Sequence, residues 1–183
     1  NHEVFEGAGL LVNEGGRRYQ ANGRSIFGVE VTQNVPVWLR LPSVDTPGHG
    51  SSPRPTSSVT SIVEALHLIK ENPFQARIIP EVERIFKSDS KSMEGELSDK
   101  FFNIKESIEL EGFLEELQEY SASRHALTRD TCSITRMGGS SKINVIPPEA
   151  WAEIDCRILT DRPAEEFIET FNELVKDLSL ILI

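Results

Sequence analysis

Cysteine, positive charge and long apolar runs are all scarce in this chain. Only Cys132 and Cys156 are present in 183 residues, too few for a disulfide framework and without the C-x-x-C spacing of a zinc site. One bridge is open to the pair, so the redox compartment stays undecided. Lys plus Arg number 19 against 29 Asp plus Glu, a formal charge of -10, which supplies no basic face for a nucleic-acid backbone. No apolar run reaches the ~18 residues of a membrane span. The opening Asn1-His2-Glu3 has neither Met nor a basic-then-apolar leader pattern, and the chain stops inside the apolar run Leu178-Ser179-Leu180-Ile181-Leu182-Ile183. The sequence is therefore expected to be a piece of a longer protein, and its compartment stays open.

What is present supports one core. Hydrophobic residues make up 38%, and the length suits one domain. Gly9–Asn13 reads as a short strand ended by Glu14-Gly15-Gly16, and Ile26–Thr32 alternates as a half-buried strand does. Val35, Val37, Leu39 and Leu41 share one face of a third strand. The loop Pro47-Gly48-His49-Gly50-Ser51-Ser52-Pro53 follows, and Thr56 or Ser57 is placed to cap a helix. That helix carries the stripe Val59, Ile62, Val63, Leu66 and Ile69 and stops at Asn72-Pro73.

From about 74 to 129 the pattern turns helical, with Val82, Ile85 and Phe86 in one stripe and Leu110, Phe113, Leu114, Leu117 and Tyr120 in another. The polar run Lys87–Ser92 reads as a loop between them. Alternation returns at Thr131–Thr135. It returns again where Ala150, Ala152, Ile154 and Cys156 oppose Trp151, Glu153, Asp155 and Arg157. Cys156 on the first of those faces reads as inert packing. Pro163 then starts a helix with Phe167, Phe171, Leu174, Val175 and Leu178 along one side, and a terminal strand follows. With the helical insertion set aside, the order from residue 34 is strand, helix, strand, strand, helix, strand. This is the α+β ferredoxin-like split βαβ sandwich, a four-stranded antiparallel sheet with both helices on one face. Residues 1–33 are then one unit and 34–183 a second.

Few residues suggest chemistry. His49 sits in a glycine-flanked loop ahead of a helix, where it could donate to a developing anion; glycines there allow close approach or positive φ. Asn144 and Arg157 together would make a carboxylate cradle. Glu14, after a strand and before two glycines, could bind a cation. Glu64-x-x-His67 has the helical spacing of a metal pair, but no second copy exists, and Gly138-Gly139-Ser140-Ser141-Lys142 lacks P-loop spacing. Each of these residues alone is more often an ordinary turn or surface residue.

Taken in order, Val12-Asn13-Glu14-Gly15-Gly16, Pro47–Pro53, Asn144-Val145-Ile146-Pro147 and Asp155-Cys156-Arg157 resemble one family. It is the family of two-zinc metallopeptidases that includes aminoacylase, carboxypeptidase G, Gly-X carboxypeptidase and succinyl-diaminopimelate desuccinylase. The insertion is similar to that of the Gly-X carboxypeptidase branch. The resemblance implies that residues 1–33 are the edge of an interrupted catalytic domain and 34–183 its lid, or dimerisation, domain. It implies that Glu14 ligates one of two zinc ions. It further implies that His49 reaches into the partner subunit's site as oxyanion donor, and that Asn144 and Arg157 hold the substrate carboxylate or the backbone near it. Leu159-Thr160-Asp161 departs from a common Pro-Gly turn of the family.

The family's upstream His and Asp ligands, its Glu-Glu pair and its final His ligand have no counterpart here. The expectation is a homodimer of a zinc hydrolase cleaving the amide bond of small peptides or N-acyl amino acids. This chain alone would be inactive and would not hold the zinc pair. A non-catalytic ferredoxin-like module for dimerisation or small-molecule sensing is the alternative.

Overall fold

The structure, a computed structural model, describes residues 16, 18–21, 24–28 and 33–176. The chain divides into two compact units, residues 1–33 and 34–183. In the first, β1 (Arg18–Ala21) and β2 (Arg24–Phe27) form an antiparallel hairpin with Arg18 opposite Phe27. The expected strand at 9–13 and residues 29–32 of the next lie outside the described residues, whereas β1 falls in the polar stretch between the two expected strands.

The second unit is a mixed α/β domain built on an antiparallel sheet. Its main strands are β3 (Val35–Val44), β5 (Thr131–Gly138) and β7 (Glu149–Ile158), in the order β3-β7-β5. A short ribbon pairs β4 (Gly48–His49) with β6 (Val145–Ile146). Three strands of the expected four are thus on the main sheet; the expected terminal strand lies outside the described residues.

One face of this sheet is apolar because the strands alternate. Val37, Leu39 and Leu41 of β3 and Ala150, Ala152, Ile154, Cys156 and Ile158 of β7 all point inward. Two helices cover them, α1 (Ser58–Glu71) and α7 (Ala164–Val175), the latter through Phe167, Phe171 and Val175. Helix α1 starts at Ser57, whose hydroxyl caps the Thr60 N–H while the Thr60 hydroxyl accepts from the Ser57 N–H, a reciprocal capping box. Its buried side keeps Ile62 and Ile69 of the expected stripe, with Leu66 packed against the same core, but is turned away from Val59 and Val63. Ser58, Ile62, Ala65 and Ile69 face the sheet, and Val59 and Val63 stay 38% and 53% exposed. Small residues win the inner face because they let the helix approach, and the Ser58 hydroxyl is satisfied there by the Pro147 carbonyl at 2.8 Å.

The insertion builds a second core. Helices α2 (Pro80–Ser90), α3 (Glu96–Phe102), α4 (Ile104–Ser107), α5 (Phe113–Tyr120) and α6 (Ala122–His125) surround Val82, Phe86, Phe101, Ile104, Phe113 and Leu117. Phe86, Phe101 and Phe113 are essentially fully buried, each worth roughly 1.5–3 kcal/mol of apolar burial. Lys87–Ser90, expected as loop, continues α2: Lys87 pairs with Glu83 and the buried Ser90 hydroxyl donates to the Lys87 carbonyl. Leu110 and Tyr120, expected in the stripe, are more than half exposed.

Two links fasten these parts. Leu159, just after β7, belongs to the insertion's core. Beside it Asp130, 1% exposed, accepts from Nη1 and Nη2 of Arg77 at 3.1 and 3.0 Å, from the Leu159 N–H at 2.8 Å and from Arg162. Arg77 also makes two bonds to Asp161, at 2.7 and 2.8 Å. Those bonds push the Arg77 guanidinium further up and hold the Asp161 carboxyl below its ordinary range. Arg77 begins the insertion and Asp130 ends it, so this clasp closes the insertion's base onto the turn between β7 and α7.

Cys156 is not the free packing residue expected from its alternating face. It forms a disulfide with Cys132, its direct neighbour across β5 and β7. No helix among the described residues is long and apolar enough to cross a membrane.

Candidate functional site

His49 and Asn144 come from distant parts of the chain and are joined by the β4–β6 ribbon. Gly48 pairs with Ile146 and His49 with Val145, and the Gly50 N–H donates to the Asn144 carbonyl at 2.9 Å. The ribbon leaves one end of the main sheet, where Val44 pairs with Glu149 and the Asp45 N–H donates to the Pro148 carbonyl at 2.9 Å. Arg54 closes the base of the His49 loop by donating to the Thr46 carbonyl.

The flanking glycines do not act through positive φ, because neither Gly48 nor Gly50 adopts it. A Cβ on Gly50 would stand 3.5 Å from the Asn144 carbonyl oxygen, an ordinary contact. The imidazole of His49 is exposed. Its Nδ1 is 2.8 Å from the Ser51 Oγ and accepts the Ser51 N–H at 3.2 Å. Asn144 is exposed on the loop that ends in β6.

Arg157 lies elsewhere. It is on the outer face of β7, opposite Pro36 and Thr131, eight residues along the strand from Glu149. That is about 25 Å at the rise of an extended strand. Within one chain, therefore, His49 and Asn144 stand at one end of the sheet and Arg157 near the other. Its Nε and Nη2 donate to the two oxygens of Asp155, each at 2.9 Å. The pair raises the Arg157 pKa, and Arg157 chiefly, with a smaller contribution from the Trp38 indole, lowers that of Asp155. A guanidinium carries five N–H groups, so its outer end is left to take a carboxylate.

The rest of that outer face is aromatic and charged. Trp38 is 76% exposed. Trp151 has Arg40 at 4.6 Å and Arg136 at 5.5 Å from its ring, and Glu153 bridges both arginines. Alternation with the buried set places Trp38, Arg40, Trp151 and Glu153 on this face, whereas Arg136 lies beyond the strand expected over 131–135 and past a register shift in β5.

Glu14 lies outside the described residues. No group of three or more His, Cys, Asp or Glu that could hold a metal occurs among the described residues. Glu64 and His67 are exposed on α1.

Residues 36–181 match the M20_dimer family, described as the peptidase dimerisation domain. Over 155 residues the chain is 27% identical to the mouse (Mus musculus) N-fatty-acyl-amino acid synthase/hydrolase PM20D1, covering 81% of this chain and 29% of that protein. Over 154 residues it is 25% identical to the probable carboxypeptidase S-like 2 of Dictyostelium discoideum, covering 84% and 29%. The chain thus spans about three tenths of the length of these relatives. Among solved structures it is similar to the M20 family metallo-carboxypeptidase Sso-CP2 from Sulfolobus solfataricus (TM-score 0.48, 14% identity, 80% of this chain and 42% of that one). It is also similar to human carnosine dipeptidase 1 (TM-score 0.47, 11% identity, 85% and 38%). The chain belongs to the peptidase dimerisation domain family of the M20 metallopeptidases.

Proposed function

We propose that this chain is the lid of a dimeric zinc hydrolase that cleaves the amide bond of small peptides or N-acyl amino acids, and that each active site is built from two copies of it. The observation that carries the reading is the β4–β6 ribbon, which sets His49 beside Asn144 and far from Arg157. A single substrate spans only a few ångströms around its scissile bond, so the three residues serve one substrate only when two chains contribute. His49 and Asn144 reach across to the partner's site, and Arg157 serves the site of its own chain.

In this arrangement His49 donates to the oxyanion that develops on the scissile carbonyl. Loss of such a donor typically costs ~10²–10³ in rate. The outer end of Arg157 takes the substrate carboxylate, and the Asn144 amide holds the substrate near it. Glu14 is the one zinc ligand this chain would contribute, and the zinc pair it would help to hold would supply Lewis-acid polarisation of the carbonyl and an activated water. The remaining ligands and the general base come from outside it, and the chain alone is inactive. The twin packs on the outer side of α1, where Val59 and Val63 are exposed, and on the free edge of β5.

The test is hydrolysis by the full-length, zinc-loaded protein across N-acyl amino acids, dipeptides and dipeptides blocked at the C-terminus. Cleavage confined to substrates with a free carboxylate supports the reading, and the preferred substrate names the subfamily. With zinc content verified, cleavage of none of them leaves a non-catalytic dimerisation or sensing module.

A further inference from the structure

The three residues after His49 each commit a backbone N–H to holding the loop. Gly50 donates to the Asn144 carbonyl at 2.9 Å, Ser51 to the His49 ring at 3.2 Å, and Ser52 to the His49 carbonyl at 3.0 Å. The middle bond has a chemical consequence. A backbone N–H can only donate, so Nδ1 must accept and must keep its lone pair. The Ser51 hydroxyl, 2.8 Å from the same nitrogen, can donate into it as well. A neutral imidazole holds one proton, which then sits on Nε2.

We propose that Ser51 is a positioning residue for His49 through its backbone N–H, which fixes the ring as its Nε2–H tautomer so that the nitrogen turned away from the turn is a donor. The opposite tautomer would present a lone pair to an arriving anion and repel it. The same contacts set the ring's orientation, as an Asx side chain is fixed by the N–H two residues on. The value of this to catalysis rests on His49 being the oxyanion donor; the tautomer itself does not.

The two parts are tested separately. The first experiment is NMR of the full-length protein isotope-labelled at histidine nitrogen, at a pH where free imidazole is neutral, with the His49 signals assigned by their loss in His49→Gln. Nδ1 is expected to resonate as an unprotonated nitrogen and Nε2 as a protonated one. Ser51→Ala removes only the hydroxyl, which can donate to Nδ1 in one tautomer and accept from it in the other, so Nδ1 should stay unprotonated. Ser51→Pro removes the backbone N–H, and the ratio of the tautomers should move about threefold to tenfold toward Nδ1–H, the equivalent of one neutral hydrogen bond, with the amide spectrum away from the His49 loop unchanged. A wild-type or Ser51→Ala ring protonated at Nδ1, or a folded Ser51→Pro protein with the wild-type ratio, overturns the proposal.

The second experiment is kinetic. Ser51→Pro in the zinc-loaded enzyme should lower kcat by a similar factor with KM unchanged; a folded Ser51→Pro enzyme with its tautomer shifted and wild-type kcat overturns the catalytic part. If the NMR result holds and His49→Ala retains full activity, the oxyanion reading of His49 fails while the tautomer assignment stands.

Discussion

Replacing Asp130 by alanine should loosen the insertion's base more than any surface change of the same size. The carboxylate is 1% exposed and accepts from Arg77 twice, from Arg162 and from the Leu159 N–H. Breaking a buried pair by removing one partner costs about 3–5 kcal/mol. Here Arg77 keeps its two bonds to Asp161, and Arg162 keeps Glu166 at 3.8 Å, which places the loss near the bottom of that range. The orphaned Leu159 N–H alone accounts for roughly 1–3 kcal/mol of it. A loss of about 3 kcal/mol in a domain of this size lowers Tm by roughly 6–12 °C. Urea unfolding should show a lower midpoint with an unchanged m value. The double variant with Arg77→Ala should fall short of additivity by roughly 0.5–3 kcal/mol, because both changes remove the same bonds. A stability change below about 0.5 kcal/mol, the range of ordinary surface substitutions, would refute the clasp.

Other outcomes follow from separate parts of the domain. Thiol alkylation of the unreduced, denatured protein should label neither Cys132 nor Cys156, and replacing both by alanine should cost roughly 3 kcal/mol in urea unfolding for a bridge closing 24 residues. Gly138→Ala should destabilise by roughly 1–3 kcal/mol, because its Cβ would stand 2.7 Å from ring atoms of Trp151, which two arginines hold in place. Burial first, then the charge of Arg129, holds the His125 imidazole below its ordinary value of 6.5. The unfolded chain binds that proton first, so the contribution of His125 is complete above about pH 6.5 and falls away as pH drops toward the lowered folded value. Urea midpoints measured between pH 7 and 5 should show this decline, and His125→Gln should remove it.

The parts of the fold that were legible in the sequence are those where one residue type decides the outcome. Alternation in β7 separated Ala150, Ala152, Ile154 and Cys156 from Trp151, Glu153, Asp155 and Arg157, and the structure keeps that division. Phe167, Phe171 and Val175 line the buried side of α7 as their spacing predicts. Helix α1 was read one step off because hydrophobicity marks Val59 and Val63, whereas packing against a sheet favours Ser58 and Ala65. The Asp130 clasp left no local trace: Arg77 and Arg162 are 53 and 32 residues away from it. The sequence leaves a Cys132–Cys156 bridge open without deciding it, since only the register of β5 on β7 brings the two opposite each other. His49 and Asn144 were each legible as motif residues, but their shared ribbon, and the distance from it to Arg157, is a property of the topology.

The most direct test of the two-chain site is complementation between full-length His49→Ala and Arg157→Ala proteins. Each homodimer should be nearly inactive. In the mixed dimer, one site receives an intact His49 from one chain and an intact Arg157 from the other. Random exchange should therefore restore about a quarter of the wild-type sites, as expected for a two-fold dimer. If heterodimers are verified and no activity returns, both residues act from a single chain and the account is wrong.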